Sequence, residues 1–386
     1  CLSDRERKKT TMKTIGIGII GWGFMGRTHT LAIRALPLFY PDAGFEAKLI
    51  GVCSRTVSKA EKARRELGFE YATGDYHDLL SDPRIDVVSV CTPNADHERM
   101  VIDALKAGKN VYVDKPLTVD YESAQRILAA AKGAPGKVQI ALHNRFFTST
   151  LRAKEIIDEG RVGEILSFTC RYLHSGSIDP DKPMGWKQGV GGGVLLDLGS
   201  HALDLVTWLI GQQPAEVLCA ENTLYPERPT REGGVCHDVT EDHALMMLRL
   251  KNGALGTVEA SKITAGTTDV MFLEITGTKG AIRWNLDNPG WLEFYDNTQP
   301  EAPLGGMRGY TRIECVGRYP APGGSFLPAK NAIGWERGHM HCYFSFLNAL
   351  AQGKTPAPGL EEGARLQRLL DCMAASAAQH SWVTVD

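Results

Sequence analysis

The run Ile15-Gly-Ile-Gly-Ile-Ile20, followed without a break by Gly21-Trp-Gly-Phe-Met-Gly26, constrains the fold of this 386-residue chain more than any other feature. A short apolar run ending in glycines reads as a buried strand, and Thr28 to Leu36 then carries a helical pattern. The same alternation recurs. A second strand at Leu49 to Cys53 leads into a helix rich in Ala, Lys, Glu and Arg that stops at Gly68. After a short Tyr71-Ala72 segment, Val87 to Cys91 leads to a helix ending at Gly108. Asn110 to Val113 leads to a helix from Asp120 to Ala131, and Val138 to Leu142 closes the series. Repeated strand, helix, strand units require a parallel sheet covered on both faces, so the expected class is α/β with a doubly wound N-terminal domain over 12–142.

The glycines give that domain a use. In the spacing G-x-G-x-x-G, Gly21 permits the tight turn, Gly23 lets a pyrophosphate approach the backbone, and Gly26 lets helix and strand pack closely. Phe24 and Met25 open the helix, where free N–H groups and the helix dipole favour an anion. A strand before and a helix after turn a common pattern into a dinucleotide site of the Rossmann kind, with NAD or NADP as the expected cofactor. An acidic residue at the end of the second strand would bind ribose hydroxyls and repel a 2'-phosphate, but Ala47 to Ala60 contains none. Ser54, Arg55 and Thr56 instead offer hydroxyls and a cation, which favours NADP. Arg55 would equally stack on the adenine of either cofactor, so the choice stays open here.

Bulk properties narrow the classes. A formal net charge of -2 gives no basic footprint for nucleic acid, and short basic runs such as Arg5 to Lys9 read as solvated. No apolar run approaches the roughly 20 residues needed to span a bilayer. Nine cysteines occur without a C-x-x-C pair, so neither a zinc knuckle nor a disulfide framework is expected. Cys53, Cys91 and Cys170 lie in apolar runs and read as buried thiols, which suits the cytoplasm. Residues 1–11 are highly charged and are expected to be a leader or tag ahead of Met12.

Two further stretches carry chemistry. Cys91-Thr92-Pro93-Asn94, with His97 after it, precedes Val111-Tyr112-Val113-Asp114-Lys115-Pro116-Leu117. Farther on, 191-GGGVLLDLGSHALDL-205 places Asp197 and His201 four residues apart, about one helical turn, with Asp204 a turn beyond. Taken alone, that pair is as consistent with a satisfied core histidine as with an active site.

Together with GWGFMG, these motifs resemble the glucose-fructose oxidoreductase, inositol dehydrogenase and MocA family, over nearly all of the chain from Met12. The resemblance implies that Lys115 stands beside the nicotinamide and that Asp197 and His201 lie in the substrate pocket. It implies cofactor contacts from Gly21, Gly23, Phe24, Met25, Gly26, Ser54, Arg55, Thr92, Pro93, Asn94, His97, Asp114 and Lys115. Asp114 departs from the family's usual glutamate by one methylene. Oxidising a secondary alcohol needs a proton acceptor as hydride leaves the same carbon. His201, titrating near neutrality, is the expected acid or base, Lys115 the stabiliser of alkoxide, and Asp197 the orienting group.

The second domain is expected over 143–386, beginning with His143-Asn-Arg-Phe-Phe147 and a helix from Thr150 to Gly160. Strands are expected at Ile165 to Tyr172, Ala244 to Leu250, Leu255 to Ala260, Val270 to Thr276, Ala281 to Trp284 and Leu292 to Tyr295, with an Asn252-Gly253 hairpin turn. Such strands make one large, mostly antiparallel open sheet. By resemblance its face is an oligomer interface, implying a homodimer or homotetramer.

For a carbohydrate substrate, the expected contacts are Lys115, Arg145, Tyr172, Trp186, Lys187, Asp197 and His201, with Trp186 as aromatic platform. His174 and Asp179 are further candidates, although Asp179-Pro180 and Lys182-Pro183 also read as turn chemistry. This segment is similar to the branch of the family containing levoglucosan dehydrogenase and glycoside 3-dehydrogenases, which implies oxidation of a ring hydroxyl to a keto sugar. The Pro/Gly-rich stretch 300–334 exceeds usual loop lengths and reads as a lid, an arm or a passive excursion. His339 and His341 begin the C-terminal helices over 339–380; their alternate spacing argues against paired metal ligands, and no metal is expected. Three functional classes remain: a sugar or polyol dehydrogenase, a redox glycosidase using bound NAD transiently, and a dinucleotide-sensing regulator.

Overall fold

The computed structural model describes residues 12–385, so the expected leader lies outside the described residues. The N-terminal part consists of β1 (Lys13–Ile20), α1 (Phe24–Phe39), β2 (Phe45–Cys53), α2 (Val57–Leu67), β3 (Tyr71–Thr73), α3 (His77–Ser81), β4 (Val87–Val90), α4 (His97–Lys106), β5 (Asn110–Val113), α5 (Tyr121–Ala131) and β6 (Val138–Ile140). Its six strands lie in the order β3-β2-β1-β4-β5-β6, and every pair is parallel. Parallel strands covered by helices on both faces bury both sets of side chains, which is why Ile15 to Ile20 of β1 and all of β4 are buried without alternation. The order in which strands are added reverses between β1 and β4, and because all strands are parallel the loops after β1, β4 and β5 gather at one edge.

The remainder adds α6 (Thr148–Asp158), β7 (Ile165–Leu173), α7 (Ser200–Ile210), β8 (Glu216–Asn222), the small β9 (Arg228–Pro229) and β10 (Val235–Cys236) hairpin, β11 (His243–Arg249) and β12 (Leu255–Ser261). It continues with β13 (Val270–Gly277), β14 (Gly280–Asn285), β15 (Trp291–Asp296), β16 (Tyr310–Glu314), α8 (Trp335–Ala351), α9 (Leu360–Gln379) and β17 (Val383–Thr384). A nine-stranded sheet runs β16-β15-β14-β13-β7-β12-β11-β8-β17, antiparallel except for the β7–β12 pair. One face alternates into the core, as Ala244, Met246 and Leu248 show on β11. The other face is solvent-facing, and α6 and α7 lie over the buried side.

The C-terminal helices bind the two parts together. Met340, Cys342, Tyr343 and Phe346 of α8 share one core with Ile15, Ile17 and Ile19 of β1, and the Tyr112 hydroxyl on β5 donates to Cys342 Sγ at 3.0 Å. The stretch 300–334 is not wholly irregular: β16 within it pairs with β15 at the sheet edge. No helix among the described residues is long and apolar enough to cross a membrane.

Candidate active site

The glycine loop has the local geometry of a phosphate cradle. Gly21 has φ of 97°, and a side chain there would strike the Cys91 carbonyl at 2.6 Å. At Gly26 a side chain would strike the Gly21 carbonyl at 2.2 Å, so helix and strand need that glycine to pack. At Gly23, by contrast, nothing lies within 4 Å of where a side chain would be. The start of α1 has no side-chain cap and no acidic residue in its first turn. Open space, uncapped N–H groups and an absent negative charge together fit a dinucleotide pyrophosphate. Phe24 projects outward at this point, its ring 5.7 Å from Trp335 at the start of α8. Met25 is half-buried behind it.

The loops after β4 and β5 adjoin this cradle. Asn94 is buried, and its amide donates to the Gly191 carbonyl at 2.9 Å, tying the nucleotide edge to the second domain. Thr92 is close to Gly21, and its hydroxyl faces Met100 Sδ at 3.5 Å. Asp114 accepts from the Lys115 backbone N–H at 2.9 Å, and the Lys115–Pro116 peptide is cis. His97 corrects an expectation. Its two ring nitrogens face the Pro116 and Thr92 carbonyls at 3.0 and 3.1 Å, so it joins the two loops from within and has no polar atom left for a cofactor. At the end of β2, the Ser54 hydroxyl accepts from the Thr56 N–H at 3.3 Å and Arg55 is exposed, without a carboxylate among the residues of that turn.

Lys115 reaches across to the second domain, where Nζ donates to the Asp197 carbonyl at 2.5 Å and to Asp197 Oδ1 at 3.1 Å. Asp197 does not sit on a regular α-helical turn. Leu195–Gly199 form a π-helical turn that runs into α7, a local widening that sets the Asp197 side chain apart from the α7 stripe. Glu241 holds the entrance of this turn, accepting from the Leu195 N–H at 3.0 Å. Gly193 follows from that contact: it has φ of 93°, and a side chain there would lie 2.1 Å from the Glu241 carboxylate. Gly192 is constrained separately, since a side chain there would lie 2.6 Å from the Lys187 carbonyl.

Two more cations and one acid stand here; Lys187 is among the expected substrate contacts, whereas sequence reasoning missed Lys262 and Asp269. Lys187 Nζ donates to Asp197 Oδ1 at 2.8 Å, and Lys262 Nζ lies 3.4 Å from Oδ2. Lys262 directly follows β12 and reads in sequence as a solvated strand end; only the fold turns it inward. Tyr172 is buried with its ring 5.7 Å from His201, and its hydroxyl bonds to Asp269, which no sequence motif marks. Burial alone would raise the Asp197 carboxyl, but the charges of Lys115, Lys262 and Lys187 override it and hold Asp197 well below the usual range. Burial pulls Lys115 below the ordinary lysine value against the attraction of Asp197.

His201 is buried, and it departs from the expected near-neutral titration. Desolvation, reinforced by the Lys115 charge, drives it well below 6.5, so the imidazole is neutral. Its Nδ1 has no hydrogen-bond partner among the described residues. Behind it stands His143, edge-on at 5.0 Å, and His339 stacks on His143 at 3.6 Å. His341, two residues on, turns away to the Tyr40 hydroxyl at 2.8 Å, as alternate helical spacing requires.

Arg145 corrects another expectation. Its guanidinium is shared between Asp204, at 2.5 and 2.9 Å, and Glu362, at 2.7 Å, and makes no hydrogen bond to Lys115, Asp197 or His201. It lines a separate cavity of about 390 Å³ with Trp208, Glu362 and Arg365. Trp186 and Lys187 are adjacent to the site, with the ammonium 5.7 Å from the indole centre. Asp179 resolves as turn chemistry, accepting from the Asp181 N–H at 2.9 Å while its carbonyl takes Arg228. His174 sits near Asp197, lowered to about 4 by burial.

The sequence profile "Oxidoreductase family, NAD-binding Rossmann fold" matches residues 15–142, and "Oxidoreductase family, C-terminal alpha/beta domain" matches 154–385. The chain belongs to the glucose-fructose oxidoreductase, inositol dehydrogenase and MocA family. This oxidoreductase is 31% identical to levoglucosan dehydrogenase of Pseudarthrobacter phenanthrenivorans over 97% of this chain and 99% of that protein. It is 29% identical to myo-inositol 2-dehydrogenase of Thermotoga maritima, over 69% of this chain and 74% of that protein. Among solved structures, an oxidoreductase domain protein from Kribbella flavida superposes with a TM-score of 0.92 at 29% identity, covering 97% of this chain and 100% of that one. A levoglucosan dehydrogenase in complex with NADH and levoglucosan superposes with a TM-score of 0.90 at 31% identity and the same coverage.

Proposed function

We propose that this oxidoreductase is a dehydrogenase that moves hydride between a nicotinamide dinucleotide and a secondary hydroxyl of a sugar, glycoside or polyol. The observation that carries the reading is the meeting of Lys115, Asp197 and His201 across the domain boundary, in a chain that also carries the open cradle at Gly23. Gly21 to Gly26 would hold the pyrophosphate, and the loops at Thr92 to Asn94 and Asp114-Lys115 would flank the nicotinamide. The dinucleotide, when bound, supplies the hydride acceptor. The protein supplies the rest.

His201, neutral because it is buried beside a cation, is the proton acceptor for the substrate hydroxyl. Lys115, with one N–H not committed to Asp197, donates to the reacting oxygen and stabilises the negative charge that develops on it. Asp197, held ionised by three lysines, fixes the direction of Lys115. Tyr172 and Trp186 border the space where the sugar ring would lie.

The β2 end supports acceptance of NADP, since Ser54 and Arg55 present a hydroxyl and a cation where a carboxylate would repel a 2'-phosphate. The relative solved with NADH supports NAD. The solvent-facing side of the nine-stranded sheet, where Leu245, Met247 and Leu255 are exposed on neighbouring strands, supports a homo-oligomer. Cys53, Cys91, Cys170, Cys219, Cys315 and Cys342 are buried thiols, which suits a reducing cytoplasm. Absorbance at 340 nm with NAD or NADP and a panel of pyranoses, inositols, anhydrosugars and glycosides tests the reading. A rise with one pairing supports it and names the cofactor. Cofactor binding with glycoside cleavage and no net reduction would replace it by a redox glycosidase.

A further inference from the structure

Three ammonium groups meet on one carboxylate, and they are not held alike. Lys262 is 3% exposed and also donates to the Gly193 and Lys187 carbonyls at 3.0 and 3.2 Å. Lys115 is 10% exposed and also donates to the Asp197 carbonyl at 2.5 Å. Lys187 is 48% exposed and has Asp197 Oδ1 as its single hydrogen-bond partner among the described residues. Its remaining N–H groups therefore face the open side of the site, next to Trp186, which is 46% exposed.

The other acids nearby do not hold Lys187 by a hydrogen bond. Glu241 and Asp269 both face the cluster, yet burial pushes each toward its neutral form, and each is already engaged, with the Leu195 N–H and the Tyr172 hydroxyl. The Asp114 charge acts on Lys115 and Lys187, but its side chain accepts from the Lys115 backbone N–H and makes no hydrogen bond to either ammonium among the described residues. Asp197 Oδ1 already receives two ammonium donors, so a substrate hydroxyl gains room there when one of them leaves. Lys187 is the one with no other hydrogen-bond partner among the described residues.

Resting on the carbohydrate dehydrogenase reading, we propose that Lys187 is a specificity residue that binds an anionic substituent, carboxylate or phosphate, on a pyranose lying against Trp186. In moving to that group it exchanges one anion for another and vacates Asp197 Oδ1. A neutral sugar gives Lys187 no charge to move to, so the ammonium either blocks Oδ1 or stands unpaired at a half-buried position, which is costly. Trp186 contributes an apolar face to the ring in both cases, so the discrimination falls on the charge.

Steady-state rates with glucose, glucuronate and glucose 6-phosphate, repeated in the galacto and manno series, test this with rings that differ in the substituent alone. Wild-type enzyme is expected to show kcat/KM about tenfold or more higher for one anion than for the matched neutral sugar. The carboxylate and phosphate arms then identify the anion. Lys187→Met should cut that ratio by about tenfold, mainly through KM for the anion, and Lys187→Glu should reverse it. Equal or better use of the neutral sugar by wild type overturns the proposal and leaves the dehydrogenase reading intact. So does a ratio that Lys187→Met leaves unmoved. Binding of NADH without turnover of any sugar defeats the dehydrogenase reading, and this proposal with it.

Discussion

Two buried regions touch at His201 and solve the same problem in opposite ways. On one side Lys115, Lys262 and Asp197 keep their charges, because each has a partner within 3.4 Å. On the other, His143 and His339 lie stacked without a hydrogen-bond partner for any of their four ring nitrogens among the described residues, and burial holds both neutral. Charge survives burial where an opposite charge or a carbonyl offsets desolvation; an imidazole without one gives up its proton instead. His201 sits on the seam. Burial and the facing Lys115 charge together keep it neutral, which is the condition a proton acceptor needs.

The largest effects should come from breaking the charged side. Lys115→Met removes the donor to the reacting oxygen and one of the three cations on Asp197. We expect kcat to fall by about 10³-fold, with NADH binding, read by fluorescence titration, changed far less. His201→Ala should fall by about 10²- to 10⁴-fold, again with dinucleotide binding retained. If either variant kept near wild-type turnover, the corresponding residue would be out of the chemistry. A variant of both that is no slower than the worse single one would show that they act as a unit.

How much of this was visible beforehand follows from where each signal resides. The N-terminal strands are short apolar runs punctuated by glycines, and those runs and the β-strands coincide to within a few residues. β8, β16 and β17 escaped notice because they lie at or near the margin of the sheet, where one side is solvent and the alternation fades; β16 has no fully buried residue. In the site, Lys115, Asp197 and His201 sit in local motifs and could be named. Lys262, Asp269, His143 and His339 acquire their neighbours only through tertiary structure, with His143 and His339 separated by 196 positions. The same limit misdirected Arg145 and His97: a motif marks a residue but does not say which way its side chain turns, and their partners lie elsewhere in the fold.

Acid should separate the two regions. His29, His143, His201, His339 and His341 are neutral when folded, with His29 lowered to about 4 and His341 to about 3 by burial, whereas an unfolded histidine takes its proton near 6.5. Below pH 6.5 the unfolded chain therefore binds more protons, and stability falls with falling pH until the folded values are reached. Each such histidine steepens the fall by at most about 1.4 kcal/mol per pH unit. Asp197 acts in a different window. Its lowered carboxyl contributes stability that is present above about 3.9 and is lost below it. Urea midpoints at pH 7, 6 and 5 should decline steeply, and a flat series would mean that these histidines do not stay neutral in the fold.

The smallest effect is the most discriminating. His339→Phe keeps a ring against His143, which lies 3.6 Å away and nearly parallel, and against Trp335 at 4.2 Å, while removing two nitrogens that no described residue engages. Replacing an unpartnered buried polar group by an apolar one of similar shape is close to neutral. The melting temperature should therefore move by only a few degrees, and kcat by less than about tenfold. The acid slope should become shallower by about 1.4 kcal/mol per pH unit, since one titrating group is gone. Asp197→Leu offers the contrast at similar size: it leaves Lys115, Lys187 and Lys262 without their shared anion, and should cost about 3–5 kcal/mol, as when one partner of a buried pair is removed. A fall of about 100-fold in kcat for His339→Phe at unchanged stability would erase the division between the two regions, because the stacked histidines would then belong to the path by which His201 passes on its proton.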